Sequence, residues 1–260
     1  MPPIALQLYS VRREFAADMP GTLAAVAQMG YSGVEFAGPP QHSAAALKAE
    51  LDKLGLACAG WHVPFDLVQD DPLPKTIAFH HALGNDKLII PGIPEELRRS
   101  RDDWLKLAAF TNRLAERLAA EGMRTGYHNH FHEFLPLDGE TPWDTFFGNT
   151  DASVIMQFDT GNAVFGGADP VSVIRSYPGR AVTVHLKPFT KRLHDGRGHD
   201  YPHPAFDPVI GEDDTDWPAV FEACESVGGT AWYIVEYESE GYPPLEAVER
   251  CLKALRGMGK

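Results

Sequence analysis

The feature that most constrains the fold is a regular alternation of short apolar segments with helical segments along the 260-residue chain. Eight of the apolar segments have the length and composition of β-strands, and caps or glycine stops delimit many of the helical patterns between them. The predicted strands lie at residues 4–10, 31–38, 56–63, 86–92, 123–130, 153–162, 181–189 and 231–238. Eight strand–helix units in a chain of this length predict an α/β protein, a single (β/α)8 TIM barrel over residues 1–260, with an open doubly wound sheet as the alternative.

The clearest helical pattern lies at residues 100–122. Trp104 and Leu107 belong to an apolar stripe at helical spacing, and Ser100 with Asp103 forms a variant of the capping box. We therefore expect a long amphipathic helix between the fourth and fifth strands.

The overall charge excludes some partners. The formal net charge is −13, whereas proteins that bind a nucleic-acid backbone usually carry a basic surface. No apolar run is long enough to cross a membrane, and the N-terminus has no signal-peptide pattern. The three cysteines, at positions 58, 224 and 251, have no paired spacing. These observations predict a cytoplasmic protein that acts on a small molecule, without nucleic acid or membrane.

A TIM barrel places its functional residues at the carboxyl ends of its strands. The ends of the last four predicted strands carry three carboxylates and one imidazole: Glu133, Asp159, His185 and Glu236. Converging negative charges of this kind require a cation, unless each residue is a separate and satisfied polar group. Residue types alone leave Mn²⁺, Mg²⁺, Co²⁺ and Zn²⁺ open.

Several motifs occur in order over nearly the whole chain. They are "QLYSVR" at 7–12, "GYSGVEFAG" at 30–38, "YHNHFHEF" at 127–134, "GGADPVSVIRSYPGR" at 166–180, "VHLK" at 184–187 and "YIVEYE" at 233–238. With these motifs the chain resembles the sugar phosphate isomerase/epimerase family of xylose isomerase-like TIM barrels. It is most similar to the subset that carries QLYSVR and YHNHxxEF.

The resemblance implies one divalent metal ion held by Glu133, Asp159, His185 and Glu236. It also implies that Glu133 and Glu236 act as acid–base groups on a keto-sugar or related polyol. The implied reaction is isomerisation or epimerisation through a metal-stabilised enediolate. Members of the family often form dimers or tetramers, so a homo-oligomer is compatible with the resemblance.

Other functions stay open at this level. A dehydratase acting on a keto-sugar or keto-inositol would use the same proton abstraction, followed by loss of hydroxide. An endonuclease IV-like repair enzyme would need further metal ligands and a surface suited to DNA, and a sugar-binding protein would need no basic carboxylates. Pro188 stands where the family usually has Asp, and Asp213 and Thr215 also depart from its pattern, so the substrates of relatives do not transfer directly.

Further polar residues are predicted to contact the substrate. They are His62, His130, Asn162, Lys187 and Glu35, all at or just beyond predicted strand ends. The segment 191–208, which is rich in His, Pro and Gly, is expected to form a long loop over the active face.

Overall fold

The computed structural model describes residues 1–194 and 198–260. Eight parallel strands form a closed barrel in chain order, which confirms the predicted α/β TIM-barrel fold. The strands are β1 (Ile4–Gln7), β2 (Gly33–Ala37), β3 (Ala57–His62), β4 (Lys87–Ile90), β5 (Arg124–His128), β6 (Ile155–Asp159), β7 (Thr183–Leu186) and β8 (Trp232–Val235).

Helices connect the strands and surround the barrel. In the described part of the chain they are α1 (Arg12–Ala17), α2 (Met19–Met29), α3 (Ala44–Leu54), α4 (Leu73–Leu83), α5 (Arg101–Ala119), α6 (Pro142–Phe147), α7 (Thr160–Phe165), α8 (Pro170–Ser176), α9 (Trp217–Ala223) and α10 (Pro244–Gly257). Within residues 1–194 and 198–260, no helix combines the length and apolar character that a membrane span requires.

The helix predicted at residues 100–122 is confirmed as α5. The Ser100 side chain accepts a hydrogen bond from the backbone N–H of Asp103, and the Asp103 carboxylate accepts one from the backbone N–H of Ser100. This reciprocal cap satisfies donors that the first helical turn leaves free. Trp104 and Leu118 are buried on the barrel side of the helix.

Two strands end earlier than the sequence pattern predicts. β1 ends at Gln7, and a 3-10 helix (Leu8–Val11) follows where the apolar run continues. β6 ends at Asp159, because its carboxylate accepts a hydrogen bond from the backbone N–H of Asn162 (2.7 Å) and so caps α7. These early ends place polar side chains at the rim of the barrel.

The barrel interior changes from apolar to polar along its axis. Two small apolar clusters occupy it, one of Ala5, Ala59 and Ile234 and one of Ile89, Ile155 and Val182. The next inward-facing positions toward the carboxyl ends are polar, among them Gln7, Glu35, Gln157 and Thr183. Since strand side chains alternate between the two faces, residues such as Tyr127 point outward and pack against the helices instead.

Candidate metal centre at the barrel mouth

Four side chains from the ends of the last four strands converge inside the mouth of the barrel. They are His128, Asp159, His185 and Glu236, and one potential ligand atom of each lies within 4.8 Å of those of the others. His128 Nε2 is 3.9 Å from Asp159 Oδ2, and His185 Nδ1 is 2.5 Å from Glu236 Oε2. All four side chains are buried. We refer to these four residues as the inner cluster.

Two atoms of the inner cluster have no hydrogen-bond partner although they are buried. They are Asp159 Oδ2 and His128 Nδ1. A buried polar atom without a partner normally costs free energy, and such atoms are rare in native proteins. A cation near Asp159 Oδ2 would remove part of this cost. Two imidazoles and two carboxylates therefore fit a divalent transition-metal ion.

Glu35 is the hub of a hydrogen-bond network beneath the inner cluster. Its Oε2 accepts from Gln7 Nε2 (2.7 Å) and lies 2.7 Å from His185 Nε2, while its Oε1 accepts from Gln157 Nε2 (2.7 Å). His62 Nε2 lies 3.3 Å from Glu35 Oε2. Glu35 is fully buried. The structure therefore places this carboxylate inside the barrel and not at the mouth, where substrate contact was expected.

His62 also lies inside the barrel. Its ring stacks on that of His185 with centroids 5.1 Å apart, and its Nε2 is hydrogen-bonded to Gln157. His62, His128 and His185 form a second close group of potential metal ligands. His62 therefore supports the ring of His185 from the side opposite the carboxylates.

Glu133 does not join the other three predicted ligands. Its Oε1 accepts from the Tyr127 hydroxyl (2.8 Å) and lies 2.9 Å from His132 Nε2, and its Oε2 accepts from the backbone N–H of His130 (2.8 Å). Tyr127 points outward from β5, so Glu133 lies on the helix side of the strand. His128, which points inward from the same strand, is the residue that joins Asp159, His185 and Glu236.

Lys187 brings a positive charge to the mouth, two residues beyond His185. Its Nζ is paired with Glu238, and lies 3.9 Å from Glu236 Oε1 and 4.0 Å from Asp159 Oδ2. Sequence reasoning missed Glu238, although its position two residues after Glu236 gives it the same side of β8. The ammonium offsets part of the negative charge of these three carboxylates.

The pKa values within the inner cluster reflect burial and mutual charge. Burial opposes protonation of His185, but Glu35 and Glu236 on its two sides outweigh this and raise its pKa to about 10. Burial would raise the pKa of Glu236, but Lys187 and His185 hold it well below its usual value. For Asp159, burial dominates and raises the pKa to about 7. Burial, followed by His185 and His62, holds the pKa of His128 well below its usual value. This imidazole therefore stays neutral, the form in which it can bind a metal.

The remaining predicted contact residues lie higher in the mouth. The His130 ring packs edge-on to that of His128, with centroids 5.3 Å apart, and its Nδ1 has no hydrogen-bond partner. Asn162 accepts a hydrogen bond from the hydroxyl of Tyr201 (2.7 Å). Tyr201 belongs to the loop at 191–208, whose described part reaches the mouth as expected; residues 195–197 of this loop lie outside the described residues.

Comparison with known families identifies the fold lineage. The family model for the xylose isomerase-like TIM barrel matches residues 23–258. The chain belongs to this family.

Named relatives within the xylose isomerase-like family differ in their activities. The chain is 27% identical over 242 residues to the rhizopine catabolism protein MocC of Rhizobium meliloti, which covers 84% of the chain and 74% of MocC. It is 30% identical over 148 residues to an inosose dehydratase of Lacticaseibacillus casei, covering 54% of the chain and 48% of that protein. The chain therefore aligns with about half the length of this curated dehydratase.

A solved structure matches the whole fold. The sugar phosphate isomerase/epimerase of Parabacteroides distasonis ATCC 8503 superimposes with a TM-score of 0.81 at 26% identity, over 98% of each chain. Isomerase/epimerase and dehydratase names thus both occur among the relatives of this chain.

Proposed function

We propose that this protein is a divalent-metal-dependent enzyme that moves a proton at a carbon beside the carbonyl group of a keto-sugar or related polyol. The observation that carries the proposal is the inner cluster. It combines buried atoms without partners, a neutral imidazole and ionised carboxylate at one point of the barrel mouth. Isolated polar residues at strand ends would each be satisfied by local partners, as Glu133 is.

We assign the metal ligands to His128, Asp159, His185 and Glu236. This assignment replaces Glu133 with His128, because the Glu133 oxygens already bond to Tyr127, His132 and the His130 backbone. Two nitrogen and two oxygen donors favour Mn²⁺, Co²⁺ or Zn²⁺ over Mg²⁺. When bound, such an ion supplies Lewis acidity that stabilises negative charge on the substrate oxygens.

Glu236 is the proposed base. Its low pKa keeps it ionised at neutral pH, and it lies at the mouth end of the inner cluster. A carboxylate that is easily ionised is a modest base, so it depends on stabilisation of the charge that develops on the substrate. Lys187 contributes to this stabilisation, because its ammonium lies 3.9 Å from Glu236 and holds its proton at neutral pH.

The position of Glu133 bears on the reaction type. Epimerisation with two bases requires proton donors on opposite faces of the substrate, and Glu133 lies on the helix side of β5. The arrangement therefore favours reactions in which Glu236 both takes and returns the proton. Isomerisation by transfer to the neighbouring carbon is one such reaction. Dehydration is the second candidate, in which Glu236 gives the proton to a departing hydroxide; the similarity to an inosose dehydratase favours it.

The same evidence sets the cellular setting that we propose. The three cysteines, at positions 58, 224 and 251, are free thiols, as is usual in the reducing cytoplasm. The net charge of −13 favours a small-molecule substrate over nucleic acid. An endonuclease or a sugar-binding protein without catalysis would therefore be a less economical use of the inner cluster.

Metal content and solvent exchange test this proposal. Wild type, His128→Asn and Glu133→Gln are purified and loaded with Mn²⁺, Co²⁺ or Zn²⁺, and bound metal is counted by mass spectrometry. We expect one ion per chain, retained in Glu133→Gln and lost in His128→Asn. Loss in Glu133→Gln with retention in His128→Asn would restore the ligand set that the resemblance implies.

Reaction type is then read by NMR in D2O with keto-sugars and inososes. Isomerisation yields a new keto- or aldo-sugar, whereas dehydration yields an enone-type product. With one base, part of the substrate hydrogen returns to the product, so less than one deuterium is incorporated. Complete deuterium incorporation with inversion at one carbon would identify a two-base epimerase and contradict the proposed use of Glu236.

A further inference from the structure

We infer that the substrate is a sugar that carries an apolar ring substituent, such as an aryl glycoside. This inference rests on the proposed function, because it assumes that the sugar reacts at the inner cluster. It arises from two cavities at the barrel mouth, one polar and one apolar, which share two lining residues.

The first cavity, the polar cavity, has a volume of about 760 Å³. Its walls include Arg12, Arg13, Glu238, Ser239 and Glu240. Glu238 is paired with Lys187, whose Nζ lies 3.9 Å from Glu236. The polar cavity therefore opens next to the inner cluster, and its charged and hydroxyl groups suit a ring with many hydroxyls.

The second cavity, the apolar cavity, has a volume of about 650 Å³ and lies beyond the ends of β3, β4 and β5. Its walls are Pro64, Phe65, Ile93, Pro94 and Phe131, with Asp66, Arg98 and His132 as polar members. Phe65 and Phe131 are only partly buried. Flat apolar walls of this kind suit an aromatic or other apolar ring better than a polar chain.

His130 and Tyr201 line both cavities. Several contacts hold these two residues in place: the His130 backbone N–H donates to Glu133, the Tyr201 hydroxyl donates to Asn162, and the Tyr201 ring stacks on Phe206. Because both residues are anchored, the cavities are neighbouring compartments with a fixed boundary. The His130 ring also packs against His128, so this boundary lies beside the inner cluster.

The combined size of the two cavities exceeds what one sugar ring needs. Pockets of about 300–1,000 Å³ are typical of sites for drug-sized ligands, so either cavity alone would accommodate a monosaccharide. A ligand that spans the boundary at His130 and Tyr201 would fill both, with its hydroxyl-rich part on the polar side. Its second part would meet Phe65, Ile93 and Phe131.

Paired glycosides test this inference. Methyl and 4-nitrophenyl glycosides of the gluco, galacto and xylo series differ only in the substituent, and their affinities for the metal-loaded protein are measured by calorimetry. We expect at least one series in which the 4-nitrophenyl glycoside binds roughly tenfold or more tightly, because burial of an aromatic ring contributes at least that much.

A cavity-filling variant provides the structural control. Gly92 lines the apolar cavity, and a side chain added there would meet no atom within 4 Å. Gly92→Leu should abolish the preference for the 4-nitrophenyl glycoside while leaving the methyl glycoside unaffected. Gly257 also has open space around it but lies at the end of α10, so Gly257→Leu should change neither affinity.

Three results would overturn the inference: no series with a preference for the aryl glycoside, no binding of any pair, or an equal effect of Gly92→Leu on both members of a pair. Metal content is measured on the same samples. Absence of metal would refute the proposed function, whereas one bound ion without aryl preference would refute only this inference.

Discussion

The two sides of β5 at its carboxyl end place similar side chains in opposite roles. On the inner side, His128 meets Asp159 and Glu236, and atoms of His128 and Asp159 lack partners. On the outer side, Glu133 is bonded to Tyr127 and to the backbone of His130. Glu133 and Glu236 are both buried, and the pKa of each lies below its usual value despite burial, through neighbouring groups.

Burial and a lowered pKa therefore do not separate a reactive carboxylate from a structural one. The difference lies in how the remaining hydrogen-bonding capacity is used. Around Glu133 it is taken up by the fold, which stabilises the turn after β5. In the inner cluster some of it is unused, and a ligand can take it up. The variants below test this comparison.

The largest effect is expected from Glu236→Gln. The amide cannot accept the substrate proton, so we expect the turnover rate to fall by roughly 10²–10⁴-fold. The rate of deuterium exchange into the substrate, measured by NMR, checks this. Glu246→Gln, an exposed change on α10, serves as the control and should leave the rate unchanged. Equal rates in wild type and Glu236→Gln would exclude Glu236 as the base.

The next effect is expected from Glu35→Gln. Glu35 holds Nε2 of His185, which leaves Nδ1 directed at Glu236 and the inner cluster. Partners of this kind orient metal ligands, so metal affinity should fall by roughly 10–100-fold. Competition with a fluorescent chelator measures it, and thermal unfolding of the metal-free protein shows whether the fold is intact. Unchanged affinity in a folded variant would show that Glu35 has no positioning role.

A histidine outside both regions tests the contribution of burial alone. Burial lowers the pKa of His80 to about 4 from 6.5, whereas the carboxylates around His185 reverse this effect of burial. The unfolded chain binds the proton more readily, so stability is full above pH 6.5 and is lost as the pH falls toward 4.

We expect His80 to account for a loss of about 2 kcal/mol in unfolding free energy between pH 7 and pH 5. Urea unfolding at both pH values measures it. The loss should shrink in His80→Gln and persist in His81→Gln, since the His81 side chain is 48% exposed. An equal loss in all three proteins would assign the pH dependence to other groups.

The smallest effect on the site is expected from Glu133→Gln. Metal affinity should stay at the wild-type level, because Glu133 lies outside the inner cluster. The unfolding free energy should fall by about 1–2 kcal/mol, since the amide cannot accept all the hydrogen bonds that the carboxylate accepts. Urea unfolding and chelator competition on one preparation measure both. A large loss of metal with little loss of stability would remove the distinction between the two sides of β5.

Sequence patterns predicted much of the site as well as the fold. Asp159, His185 and Glu236 were expected to converge because parallel strands bring their carboxyl ends to one rim, and the structure brings them together. The prediction for Lys187 rested on the period of two along β7, and its Nζ does reach the carboxylates. Each of these positions follows from alternation along a strand of known direction.

The same reasoning did not extend to residues beyond a strand. Glu133 lies five residues after the end of β5, where the chain turns into a 3-10 helix (His132–Phe134), and alternation no longer determines the direction of a side chain. Glu35 was correctly read as a strand-end residue. Its depth in the barrel depends on neighbours from β1, β6 and β7, namely Gln7, Gln157 and His185.

The sequence by itself determined the order of the eight units, the closed barrel and three of the four residues of the inner cluster, because these depend on local periodicity and strand direction. Only the tertiary structure decided between His128 and Glu133, the depth of Glu35 and the division of the mouth into two cavities. These features depend on contacts between segments far apart in the chain, such as that between Tyr201 and Asn162. No local pattern encodes such contacts, since each requires the relative position of two elements that only packing sets.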